Sequence, residues 1–107
     1  MSFSSFKDLT ARQLGDGVAV RAVSGEKMTL TLFNLAEGAA IPEHSHPHEQ
    51  IGTVLKGSME LIIGDEKKQV AEGGLWVIPA NVAHKGRCVK GPAEVLEAFA
   101  PRREDFA

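Results

Sequence analysis

Apolar and polar residues alternate in steps of two along most of this chain, and glycine or proline interrupts the alternation at short intervals. A period of two sends successive side chains to opposite faces of an extended strand, whereas a helix needs apolar residues every three to four positions. The pattern predicts strands at Val18–Val20 and Met28–Phe33 with a turn at Ser24-Gly25, then an extended stretch from Gly38 to His46. Further strands are expected at Ile51–Leu55 ending at Gly57, at Ser58–Ile63, and at Lys67–Val70 after a Gly64-Asp65 hairpin turn. Leu75–Ile78, stopped by Pro79, and two last strands, Ala83–Val89 and Ala93–Phe99 separated by Gly91-Pro92, complete the series. Many short strands joined by turns describe an all-β sandwich or barrel. Ser5 to Leu14, with a serine cap and Gly15 behind it, is the one stretch read as a short helix.

The remaining composition excludes several classes. With 107 residues, 43% of them hydrophobic, the chain fits one small domain with one core, divided as an arm over 1–16, a barrel over 17–100 and a tail over 101–107. The balance of 12 basic against 14 acidic residues supplies no basic stripe, and one Trp with no Tyr offers little on which to stack bases, so nucleic acid is not expected as a partner. No run approaches the ~20 apolar residues that span a bilayer, and membrane association is not expected either. A lone Cys88 cannot close an internal disulfide, and the N-terminal residues lack the pattern of a signal peptide, so a cytoplasmic location is expected. Cys88 is read as a small buried hydrophobe, and Met28, Met59 and Trp76 as core filling.

The chemical signal lies in the histidines: His44, His46 and His48 together, and His84 alone. On a strand, side chains at i and i+2 share a face about 6.6 Å apart, close enough for two imidazoles to reach one metal. His44 and His46 meet this condition, while Pro47 ends the strand and frees His48 from their face. Either Glu49 or Gln50 can return to the same site, and His84, after the Pro79-Ala80-Asn81 turn, can close it. Three imidazoles with one carboxamide or carboxylate make a mononuclear site.

Gly38, five residues, His44-Ser45-His46, three residues, Gln50, six residues and Gly57 resemble the first cupin motif. Gly73, five residues, Pro79-Ala80-Asn81, two residues and His84 resemble the second, with Asn81 for its usual glycine and Cys88 where it ends in asparagine. The resemblance implies a single-domain jelly roll with a metal inside the barrel. His44-Ser45-His46-Pro47-His48-Glu49-Gln50-Ile51, Ile78 to His84, and the tail Phe99 to Phe106 are more narrowly similar to the pectin-degradation cupins, which linearise 4,5-unsaturated uronates to 5-keto-4-deoxyuronates. This similarity implies His44, His46, Gln50 and His84 as metal ligands and Arg103 as a substrate-contacting arginine. The family's catalytic aspartate falls here on Glu97, one methylene longer, and Thr53 replaces an aromatic residue.

Glu97 shares a face with Val95 and Phe99, so an inward orientation would bury its carboxyl and raise its pKa, which suits acid–base work near neutrality. The expected function is metal-dependent ring opening of a small anionic sugar acid, with one divalent ion (Zn, Fe, Ni or Mn), Arg103 on the substrate carboxylate and Glu97 moving protons. An iron-dependent dioxygenase and a non-catalytic metal- or sugar-binding module are the alternatives. A homodimer covering the edge strands is the expected assembly.

Overall fold

The computed structural model describes residues 2–106. Eight strands follow one another: β1 (Arg12–Gly15), β2 (Val18–Ser24), β3 (Thr29–Leu35), β4 (Ala40–His44), β5 (Glu49–Ile63), β6 (Glu66–Ala71), β7 (Leu75–Ile78) and β8 (His84–Ala100). Every pairing is antiparallel. Two long strands organise the rest, because β5 and β8 pair with each other from Glu49↔Ala100 to Ile63↔His84. The second half of β8 lies between β3 and the first half of β5, which continues to β7. The first half of β8 lies between β4 and the second half of β5, which continues to β6. The two halves of one strand pair thus belong to two facing sheets, β1-β2-β3-β8-β5-β7 and β4-β8-β5-β6. This is the all-β jelly roll.

The structure departs from the sequence reading in four places. Ile51–Leu55 and Ser58–Ile63 are one strand, and so are Ala83–Val89 and Ala93–Phe99. Shifts of register between Val54 and Met59 bend the pair instead of ending it. Gly57 occupies the bend at φ +82°, where an added Cβ would collide with the carbonyl oxygen of Lys90. The helix expected over Ser5–Leu14 is reduced to a single 3₁₀ turn at Phe6–Asp8. Leu9 is already extended, and Arg12 and Gln13 pair with Val20 and Ala19, so ladder bonds to β2 prevail over local helix propensity.

Met28, expected in the core, is 60% exposed. On β3 the inward positions are Thr29, Thr31, Phe33 and Leu35, all buried. The two threonines are accommodated by hydrogen bonds, Thr29 with Ser24 and Thr31 to the backbone carbonyl of Glu97. Met28 shares the parity of the outward Leu30. Val18, Val20, Phe33, Val54, Trp76, Ile78 and Val95 fill one side of the core, and Met59, Val70 and Cys88 are buried with them.

Gly57→Ala should lower stability by about 1–3 kcal/mol, because both the left-handed backbone and the approach of Lys90 exclude a Cβ. Urea unfolding followed by tryptophan fluorescence measures it as a reduced midpoint at constant slope.

Candidate metal centre

Strand pairing assembles the histidines. His44 closes β4 and His84 opens β8, and they are direct partners in the β4–β8 ladder. The carbonyl of His46, in the loop after β4, accepts the backbone N–H of Asn81 at 2.8 Å. Asn81 stands at φ 67°, in the left-handed region that asparagine tolerates better than most side chains, so it can replace the usual glycine there. Ring centroids of His84 lie 4.2 Å from His44 and 5.0 Å from His46. One ring nitrogen from each of the three falls within 4.8 Å of the others, close enough for three imidazoles to share one ion.

The hydrogen-bond partners settle which nitrogen is free in two of the three rings. Nδ1 of His44 meets the Pro42 carbonyl at 2.8 Å, Nδ1 of His84 the Val82 carbonyl at 2.8 Å, and Nδ1 of His46 the His48 carbonyl at 3.2 Å. A carbonyl only accepts, so Nδ1 of His44 and of His84 donates its proton and Nε2 of each presents a bare lone pair, whereas His46 meets an accepting oxygen on both sides with one proton to share between them. Desolvation, reinforced by the Arg103 cation, lowers the pKa of His46 to about 4, and burial lowers that of His84, so both rings are neutral near pH 7. Gln50, buried at the start of β5, donates its side-chain N–H to Glu97, which turns its Oε1 towards Nε2 of His46 at 3.0 Å. One proton on a neutral His46 cannot serve both oxygens, so one of its nitrogens faces an acceptor bare, and Nε2 of His84 is buried without a partner. A cation relieves both conditions. Neutral imidazoles and an amide oxygen suit a divalent first-row ion, so the residues present fit the implied metal.

Glu97 lies one row inward. Trp76, Gly52, Glu97 and Thr31 are successive partners across β7, β5, β8 and β3. Gly52 has no side chain, and the indole of Trp76 occupies the space: an added Cβ would sit 2.5–2.6 Å from three of its ring atoms. The indole N–H thereby reaches Oε2 of Glu97 at 2.9 Å. Burial pushes the Glu97 carboxyl above the ordinary range, against the opposing effect of the two N–H donors and Arg103. Because both donors meet Oε2, a proton on this carboxyl belongs on Oε1. Trp76, read from the sequence as core filling, is therefore also a hydrogen-bond donor; the need of a buried indole N–H for a partner is the signal that points to it.

Arg103 lies beyond the end of β8 and enters the same cavity from the tail. His44, Gln50, His84, Glu97 and Arg103 line an inner cavity of about 60 Å³. A wider groove of about 520 Å³ opens from His44 and Arg103 towards β1 and the tail. His48 contributes its carbonyl to His46 and stands outside the histidine cluster.

Residues 31–99 match the family model described as a cupin domain. The chain is 28% identical to the pectin degradation protein KdgF of Dickeya dadantii over 96 residues, covering 88% of this chain and 87% of that protein. Its fold superposes on the structure of KdgF from a Halomonas species with a TM-score of 0.92 at 25% identity, covering 100% of this chain and 99% of the other. An RmlC-like cupin from Shewanella frigidimarina matches in fold with a TM-score of 0.93 at 23% identity, covering 100% of this chain and 96% of the other.

In the metal-free protein, His46 should stay unprotonated down to about pH 4. Its folded pKa lies below that of the unfolded chain, so the unfolded state binds the proton first, and stability should fall as pH drops from 6.5 towards 4. Imidazole NMR titration and urea unfolding at two pH values check both parts.

Proposed function

The chain belongs to the cupin family, and on that premise we propose that it is a metal-dependent enzyme that opens the ring of a 4,5-unsaturated uronate to give a 5-keto-4-deoxyuronate. One observation carries this reading: three imidazole nitrogens and an amide oxygen converge beside a buried carboxyl and an arginine that line the same cavity. The similarity to a pectin degradation protein, KdgF, and to the structure of a second KdgF supports the substrate class. His44, His46, Gln50 and His84 would hold the ion. A divalent cation there supplies Lewis-acid polarisation of a substrate oxygen.

The protein's own groups account for the rest. Arg103 binds the uronate carboxylate and orients the ring, since a guanidinium matches a carboxylate through parallel hydrogen bonds. In the reaction one proton leaves the anomeric hydroxyl, one arrives at the ring double bond, and the bond between the anomeric carbon and the ring oxygen breaks. An aldehyde and a ketone result, with no atom gained or lost and no redox change. Glu97 moves the proton through Oε1, and its raised pKa lets it hold a proton where an exposed glutamate would not. The apolar side chains of Phe33, Ile78, Val95 and Phe99 line the same cavity and limit the water within it.

The metal-loaded protein should remove the ultraviolet absorbance of the unsaturated galacturonate monomer well above its spontaneous rate, with and without oxygen. Decay at the spontaneous rate rejects the assignment, and a strict need for oxygen would favour a dioxygenase instead. Glu97→Gln should abolish turnover while metal, measured by elemental analysis, is retained; full activity in this variant removes Glu97 from the mechanism.

We also propose that a second copy of the chain covers the outer face of the larger sheet. Leu30, Ile51, Leu75 and Val77 are exposed there, Leu75 at 79%, and the groove beside them is walled by Leu96 and Ala98 and by Glu97, whose buried carboxyl is bonded to Trp76 and Gln50. Two such faces meet about a twofold axis without opposing like charges. Sedimentation should give a dimer that Leu75→Asp converts to single chains; a wild-type protein that sediments as a single chain refutes the interface.

A further inference from the structure

Arg103 is held from behind by the tail and by the N-terminal strand. Asp105 takes one edge of its guanidinium, with Nε at 3.1 Å from Oδ1 and Nη2 at 2.6 Å from Oδ2. The cation packs against two rings, 4.5 Å from the Phe106 centroid and 4.9 Å from that of Phe99. Its backbone N–H donates to Thr29 Oγ1 at 2.9 Å. Only 14% of the side chain is exposed. The 3₁₀ turn Glu104–Phe106 that carries Asp105 is in turn held by β1: Arg12 donates to the Asp105 carbonyl, and its guanidinium lies 5.6 Å from the Phe106 centroid. Phe106 packs edge-on against Phe33 and Phe99, which ties the turn to the core.

A guanidinium has two edges that can each pair with a carboxylate. Asp105 occupies the edge formed by Nε and Nη2, so the edge carrying Nη1 is turned away from the tail. Arg103 also lines the inner cavity with His44, Gln50, His84 and Glu97. We propose that Asp105, braced by Arg12 and Phe106, is a positioning residue that fixes the orientation of Arg103 and presents its Nη1 edge to the carboxylate of the substrate. The proposal rests on the uronate reading and gives the residues before β2 a part in substrate recognition. Without Asp105 the arginine keeps its charge but loses its fixed direction, so binding of the carboxylate weakens while the proton-transfer groups stay in place. Asp105 itself stays ionised, because the Arg103 cation holds its carboxyl below the usual range.

The test compares wild type, Asp105→Asn, Asp105→Glu and Arg12→Met as metal-loaded proteins of verified metal content and thermal stability. Asp105→Asn should raise KM for the unsaturated uronate about ten-fold with kcat within about two-fold, Arg12→Met should move KM in the same direction by less, and Asp105→Glu should restore most of the loss. A merely structural role would instead lower thermal stability and leave KM unchanged. A second readout needs no turnover. The Arg103 Nε–H resonance should be sharp and slow to exchange in the wild type, lost in Asp105→Asn, and shifted by galacturonate but not by its methyl ester. If wild type is active and Asp105→Asn leaves KM unchanged, the positioning role is overturned while the uronate reading stands. If wild type is inactive on the uronate, that reading falls and the resonance decides: loss in Asp105→Asn with a galacturonate-specific shift upholds the positioning role, and any other pattern overturns it.

Discussion

A carboxyl group inside an apolar barrel must find donors before the residues around it can be arranged, and Glu97 finds two. The indole of Trp76 reaches it only because Gly52 leaves the intervening strand bare. The amide of Gln50 reaches it from two residue pairs along the same ladder. Once that amide N–H is committed, its oxygen has a single direction left, and it points among the imidazoles. The orientation of an acceptor at the histidine cluster therefore follows from the burial of an acid beside it, a link between interior electrostatics and the groups that face the cavity. Gly52, Trp76, Glu97 and Gln50 form one chain of cause and effect, and changing any of them alters the condition that the next one meets.

The imidazoles reach the same arrangement by a different route. Nδ1 of each meets a backbone carbonyl two residues away along the chain, so the loops and strand ends on which the rings sit orient them locally and turn Nε2 towards the cluster. The fold then has only to bring His44 opposite His84, which the β4–β8 ladder does. The guanidinium of Arg103 packs on Phe99 of β8, but its hydrogen bonds and its second ring come from the tail, which Arg12 of β1 holds in turn.

Much of this was legible in the sequence. Alternation in steps of two identifies the strands, and the histidine spacing identifies the cluster, because both depend on local periodicity. What escaped depends on contacts between distant segments. The breaks expected at Gly57 and at Gly91-Pro92 are bends within long strands, since glycine and proline mark interruptions in a pattern without saying whether the ladder resumes. The parity of β3 escaped for a related reason: Met28, Leu30 and Leu32 look like an inward face until Thr29 and Thr31 find partners on Ser24 and β8. The expected helix at Ser5–Leu14 gave way to pairing with β2, a competitor that its own residues do not announce. Asp105 carried no signal at all, since an acidic residue two positions from an arginine near a terminus usually describes a solvated tail.

The shared strand pair has one more consequence. Because β5 and β8 run unbroken from one sheet into the other, neither sheet can melt while its neighbour stays intact; loss of pairing at either end exposes the apolar interior of both. Unfolding should be all-or-none, and amide protons near Val54 and Val95 should exchange only through global opening. A cavity lined by residues of both sheets then inherits the full cooperativity of the domain, and the histidine cluster dissolves together with the barrel instead of fraying ahead of it.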